Sequence, residues 1–134
     1  MKGTCMDLFA SLVSGDLLVE ARDSSPEFLR LDWSDRSNAR YPGTLLTPYF
    51  EAVLMRARDA GCRIEAHFER LEFFNSSTVT AVIQFIHEAR AQGTTLSIVF
   101  DGEQKWQALS FEALKSFELP DGMLQIRASP TRNA

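Results

Sequence analysis

From Phe50 onward the chain switches repeatedly between two hydrophobic rhythms, and that alternation constrains its fold more than any single motif. Phe50, Val53, Leu54 and Ala57 recur at i, i+3, i+4 and i+7, the stripe that one face of an α-helix presents to a core. Thr47 and Pro48 before it offer an N-cap and a proline at the first helical position, and Gly61 after it suits a left-handed terminating residue. "CRIEAHFERLEFF" then alternates at Ile64, Ala66 and Phe68 and turns wholly apolar at Phe73 and Phe74, as a strand does on passing into a buried position. It ends at Asn75. The helical rhythm returns at Val79, Val82, Ile83, Ile86 and Ala89, with Gly93 as a stop signal. Its β-branched residues cost a few tenths of a kcal/mol each, which packing one whole face outweighs.

"TTLSIVF" is a short apolar run of the kind found in central parallel strands. In "DGEQKWQALSFEALKSF", Asp101 stands where a cap is needed, and Trp106, Leu109, Ala113 and Phe117 form a stripe that predicts the core face of a third helix. Phe111 falls off that stripe, which assigns it either to a contact surface or to a place under the chain ends. A turn at "LPDG" leads to a last strand in "MLQIRA", and the polar tail "SPTRNA" reads as loose.

Nearer the start, two apolar stretches, Leu17 to Ala21 and Phe28 to Trp33, flank Ser24, Ser25 and Pro26 and predict a hairpin. "RSNARYPG" reads as a loop, and the residues before Asp16 fit either a short extra helix or an unstructured lead. The order is hairpin, helix, strand, helix, strand, helix, strand, with connections short enough to make the later strands parallel through right-handed crossovers. The expected architecture is one α/β domain over residues 1–134, a mixed sheet with helices packed over it. A chain of this length buries roughly two-thirds of its unfolded surface and needs no metal or disulfide to fold.

Composition narrows the function. No apolar run approaches the roughly 20 residues of a membrane span, and the opening "MKGTCMDLFASLVSGDLLVE", broken by Asp7, lacks a signal-peptide pattern, so a cytoplasmic protein is expected. Cys5 and Cys62 belong to no Cys-x-x-Cys or Cys/His cluster, and both are expected to be thiols rather than disulfide or zinc partners. Eighteen acids against 14 bases, net −4 with scattered bases, argue against direct nucleic-acid binding. His67 lies opposite the predicted core residues of its strand and His87 on the polar side of its helix beside Glu88, so both read as surface histidines. Glu65, Glu69 and Glu72 read as a solvated strand face, and "DGEQ" lacks the glycine spacing of a phosphate-cradling loop. No nucleophile, base and orienting acid stand in a recognisable order, so a non-catalytic domain without cofactor or metal is expected.

The junction "LEFFNSSTVTAVIQFI" raises the functional question. Asn75, Ser76 and Ser77 can each cap the helix that follows. A phosphate on Ser76 would instead bring about −1.5 to −2 charges to the positive end of the helix dipole, leaving the fold intact while changing the surface a partner meets. Both readings stand on the sequence.

The junction and the element order, from about Asp16 to Ala128, resemble the STAS domain of bacterial anti-sigma factor antagonists. In that family a buried strand ends in Asp-Ser-Ser-Gly or a similar motif that opens a helix, and the first serine is often the phosphoacceptor. Here the motif is Asn75, Ser76, Ser77, Thr78, with Asn for the usual Asp and Thr for the Gly. The resemblance implies that Ser76, and less readily Ser77, accepts a phosphate from a serine kinase that doubles as the anti-sigma factor, and that a phosphatase removes it. The four motif residues and the loop before Thr47 would form the docking surface of a monomer or weak dimer. Asn at the first position also resembles a STAS-like group in which a Ser or Thr after Asn is phosphorylated and the protein controls a nucleotide-cyclase signalling enzyme. Another resemblance is to subunits of phospholipid-transport complexes that use the same surface without a phosphorylation cycle.

Overall fold

A computed structural model describes residues 11–14, 16–21, 28–38 and 40–129. The described strands β1 (Leu12–Ser14), β2 (Leu17–Ala21), β3 (Phe28–Ser37), β4 (Arg63–Phe74), β5 (Leu96–Phe100) and β6 (Leu124–Ala128) lie side by side in chain order. Helices α1 (Gly43–Ala60), α2 (Ser76–Ala91) and α3 (Lys105–Leu114) connect successive strands from β3 on. β1, β2 and β3 pair antiparallel, and β3 through β6 pair parallel, the mixed sheet that the alternation predicts. The hairpin of β2 and β3 forms, with Val19 opposite Trp33, while Ser24, Ser25 and Pro26 lie outside the described residues. Of the segment before Asp16, Leu12–Ser14 is a strand on the sheet edge rather than part of a helix or a lead.

The three helices share one face of the sheet. Val19, Leu31, Trp33, Ile64, Phe68, Ile98, Phe100 and Ile126 point into a single cluster with Phe50 and Val53 of α1, Val82 and Phe85 of α2, and Phe111 and Leu114 of α3. Rings link the layers: Trp33 packs against Phe50 and Phe68, and Phe50 stacks on Phe85 at 4.2 Å between centroids.

Helix α1 buries the predicted stripe of Phe50, Val53, Leu54 and Ala57 together with Leu46 and Tyr49, and ends at Gly61 in the left-handed conformation with φ 71°. Its beginning differs from the expectation. Pro42, not Thr47, is the N-cap, so Pro48 lies inside the helix and Thr47 is exposed. Pro42 already has the φ that a helix start requires, −64°, and extending the helix by a turn buries Leu46 at the cost of the one backbone bond that Pro48 cannot donate.

β4 shifts phase along its length. Ile64, Ala66 and Phe68 face the core by alternation, but the next inward residues are Leu71 and Phe74. The pairing with β3 slips between Asp32 and Ser34 and again between Asp35 and Arg36, with Asp35 in the left-handed region at φ 66°. Phe73, expected to be buried beside Phe74, is turned outward as a result.

α3 answers that irregularity. Gln107 is wholly buried, its Nε2 donating to the carbonyls of Phe68 at 2.8 Å and Leu71 at 2.9 Å, and its Oε1 accepting from Asp101 N at 2.7 Å. The core face of α3 is therefore Gln107, Phe111 and Leu114. Phe111 is 0 % exposed, against Phe68, Phe74 and Phe100, whereas Leu109 of the predicted stripe is 75 % exposed. Trp106 and Phe117 pack partly against the cluster, and Ala113 is exposed. Gln104 is the N-cap; Asp101 instead accepts from Glu103 N in a turn before the helix.

Cys62 is disulfide-bonded, against the expectation of a thiol. The chain's other cysteine, Cys5, lies outside the described residues.

Candidate functional site at the start of α2

β4 delivers the chain from the middle of the sheet directly into α2, with Asn75 as the single residue between them. Asn75 has extended dihedrals, and its Oδ1 accepts from Thr78 N at 2.9 Å and from the Thr78 hydroxyl at 2.8 Å. With its only hydroxyl proton directed at Asn75, Thr78 Oγ1 accepts in turn from Ser37 Oγ at 2.6 Å, and Asn75 N donates to Ser37 O at 3.0 Å. Ser37 and Thr78 are buried, so the chain locks α2 to the end of β3 with satisfied polar groups.

The Thr in place of the motif's usual Gly thus points into the fold, not toward a visitor, and the Asn in place of Asp keeps the cap. Ser76 and Ser77, left with no capping task, are exposed on the first turn, and neither hydroxyl makes a hydrogen bond among the described residues. Asn75→Ala is expected to cost about 1–2 kcal/mol of stability in urea unfolding, while Ser76→Ala and Ser77→Ala stay within about 0.5 kcal/mol. Equal losses at Asn75 and Ser76 would mean that the cap is shared.

Around this turn the surface is mixed in character. Phe73 lies under the Arg36 guanidinium, 5.5 Å from the ring centroid. Arg40 and Tyr41, in the loop before α1, line a cavity together with Ser77 and Thr80. The start of α2 and the loop before α1 are thereby brought together, and sequence spacing offers no signal for Arg40 or Tyr41. Further along, Thr47, Phe50 and Leu54 of α1 face Ala81, Gln84 and Phe85 of α2 across an apolar groove of about 240 Å³, with Glu51 and Glu88 also lining it.

The opposite face of the sheet carries a second polar cluster. His67 is not a free surface histidine: its Nδ1 lies 3.0 Å from Glu69 Oε1 and its Nε2 3.1 Å from Glu65 Oε1, with Arg63 and the Arg30–Asp32 pair on the same face. His87 is exposed, its ring edge-on to Phe117. Glu65 and Glu69 are thus ligands of one imidazole, and Glu72 is exposed. Both His67 nitrogens face carboxylates, so the ring has no position left for activating a nucleophile. Burial alone would lower its pKa, but the bonds to Glu69 and Glu65 outweigh that and raise it, while the bond from His67 lowers Glu69.

The raised His67 pKa means that its contribution to stability is complete below the unfolded value of about 6.5 and is lost as pH rises through the folded value. The lowered Glu69 pKa means a contribution present above the unfolded carboxyl value and lost as pH falls through the folded one. Thermal melts should therefore show the wild type's advantage over His67→Gln to be largest at mildly acidic pH and to shrink toward pH 8. Parallel pH profiles would refute the assignment.

No group of three or more His, Cys, Asp or Glu side chains among the described residues is placed to hold a metal, and no described helix is long and apolar enough to cross a membrane. No protein-family profile matches the sequence, and no curated protein does. Solved structures do. The anti-sigma factor antagonist SpoIIAA in its unphosphorylated form superimposes with a TM-score of 0.58 at 14 % identity, over 86 % of this chain and 91 % of that one. The chain has the SpoIIAA-like, or STAS-like, fold. A chain from the complex of the diguanylate cyclase SiaD with its activator SiaC from Pseudomonas aeruginosa matches at a TM-score of 0.64 and 17 % identity, over 90 % and 100 % of the two chains. A DUF3478-family protein with a SpoIIAA-like fold from Shewanella loihica PV-4 matches at 0.53 and 11 %, over 96 % and 93 %. Within this SpoIIAA-like frame, the strand-to-helix junction at Asn75 is the point where the sheet centre reaches the surface.

Proposed function

We propose that the protein is a non-catalytic regulatory domain that binds a protein partner through the start of α2 and is switched off by phosphorylation of Ser76, with Ser77 the less favoured acceptor. The observation that carries this reading is the division of labour at the junction: Asn75 caps the helix and Thr78 anchors it, which leaves two exposed serine hydroxyls with no structural task. A phosphate there gains from the helix dipole and disturbs no buried contact, so charge can change without unfolding the domain.

By likeness to the anti-sigma factor antagonist, the partner would be a serine kinase that acts as an anti-sigma factor, with a phosphatase resetting the switch in the cytoplasm. A second reading is favoured by two observations, the Asn75 start of the motif and the likeness to a chain from a diguanylate cyclase–activator complex. On that reading the partner is a nucleotide cyclase and the unphosphorylated domain is its activator. A phospholipid-transport subunit would use the same surface without the switch.

Intact-mass analysis and peptide mapping across residues 73–90 of protein from its native cells test the reading directly. The expected result is one phosphate on Ser76 in a fraction of the molecules. Partner captured by the wild type should be weakened at least tenfold, about 1.4 kcal/mol, by Ser76→Asp and retained by Ser76→Ala. A partner held equally by all three forms would favour the subunit reading instead.

A further inference from the structure

The two serines are not equivalent. Ser77 lines an open cavity of about 340 Å³ between the start of α1 and the first turns of α2, together with Arg40, Tyr41, Thr44 and Thr80; Ser76 does not line it. The two positions are about 100° apart around the helix axis, which turns Ser77 toward α1 and Ser76 away from it.

The chemistry of this cavity has one sign. Its polar side chains are a guanidinium, a phenol and three hydroxyls, and no carboxylate lines it, although the chain holds 18 acids against 14 bases. Arg40 makes no ion pair among the described residues. Thr80 spends its hydroxyl proton on the Ser76 carbonyl at 3.2 Å, which leaves Arg40, the Tyr41 phenol and the Thr44 hydroxyl as side-chain donors besides Ser77 itself. A planar guanidinium without a carboxylate, lining the same cavity as a serine hydroxyl, suits two oxygens of a phosphate.

We propose that this cavity receives a phosphoryl group carried on Ser77 Oγ, with Arg40 as its cationic partner. The proposal rests on the reading of the α2 start as a phosphorylation site and distinguishes its two hydroxyls. A protein kinase transfers the γ-phosphoryl group of ATP: the bond from Ser77 Oγ to phosphorus forms, the bond to the ADP oxygen breaks, and the hydroxyl proton leaves to the kinase base. A phosphate on Ser77 then ties the α2 start to the loop before α1, whereas a phosphate on Ser76 stands free to confront a partner. The two modifications would have separate effects, one on the domain's own loop and one on its docking surface.

Phosphoserine installed at position 77 or 76 of the full chain by genetic code expansion, titrated by ³¹P NMR at low salt, tests this without a kinase or a partner. The second ionisation of an isolated phosphoserine lies near 6. That of phosphoserine at 77 is expected at least about half a unit lower than that at 76, because the guanidinium favours the dianion. Arg40→Gln should bring it back to the value at 76, and Arg40→Lys should retain part of the shift. Equal midpoints at the two positions, or a shift at 77 that survives Arg40→Gln, would overturn the proposal. Loss of the folded circular dichroism spectrum on placing phosphate at 77 but not at 76 would also overturn it, since a receiving cavity tolerates its ligand. A shifted midpoint at 77 in a protein that is never phosphorylated in its native cells would refute the switch and leave the phosphate site standing.

Discussion

Phe111→Ala is expected to lower the stability of the chain by about 3–5 kcal/mol, while Leu109→Ala changes it by less than about 0.5 kcal/mol. The two residues sit two positions apart on α3 and differ entirely in surroundings. Phe111 fills the space among Phe68 of β4, Phe74 at the entrance to α2 and Phe100 of β5, with ring centroids 4.9, 5.6 and 5.4 Å away. Truncation there removes a buried ring and leaves a cavity that the sheet behind it cannot collapse into. Because Phe74 precedes the Asn75 cap, the loss should also loosen the start of α2, read as faster amide exchange at Val79 and Thr80. Phe111→Leu should recover about half of the stability. Equal effects at 109 and 111 in urea unfolding would show that α3 presents a different face to the sheet.

Gln107→Leu should cost about 3 kcal/mol although it makes the residue more hydrophobic. Gln107 Nε2 donates to Phe68 O and Leu71 O away from solvent, and Oε1 accepts from Asp101 N in a part-buried bond. Leucine fills a similar volume but leaves two carbonyls and one N–H without these partners, each carrying a desolvation cost of about 1–3 kcal/mol that is partly relieved by relaxation. Gln107→Glu separates the two roles, keeping the acceptor toward Asp101 N but turning a donor into a charge against two carbonyls, and should destabilise at least as much at neutral pH. A stabilised Gln107→Leu would mean that water can reach the shifted segment of β4.

Much of the architecture was legible because it depends on periodicity. The helical stripe from Phe50 to Ala57, the alternation from Ile64 to Phe68 and the apolar run of β5 each state a local structure and its inner face in the same residues. The places where the reading failed share a cause. Leu109 and Ala113 looked like core, and Gln107 did not, because sequence patterns value a side chain by its own polarity rather than by the needs of its neighbours. Those needs arose elsewhere, where β4 slipped against β3 and exposed the carbonyls of Phe68 and Leu71 toward the helix layer. His67 and Glu65 looked solvated for the same reason, since only the fold shows that the carboxylates close around the ring.

At the candidate site the division is equally plain. The sequence alone determined that a strand meets a helix at Asn75 and that capping side chains and free hydroxyls compete there, because strand and helix periods and cap chemistry are local properties. Which residue wins was decided by the tertiary structure: the buried hydroxyl of Ser37, 41 positions away from Thr78, holds that threonine, Thr78 holds Asn75, and only then are Ser76 and Ser77 left over. A hydrogen bond between residues so distant in sequence is available only once β3 and β4 have paired, and no local pattern can anticipate it.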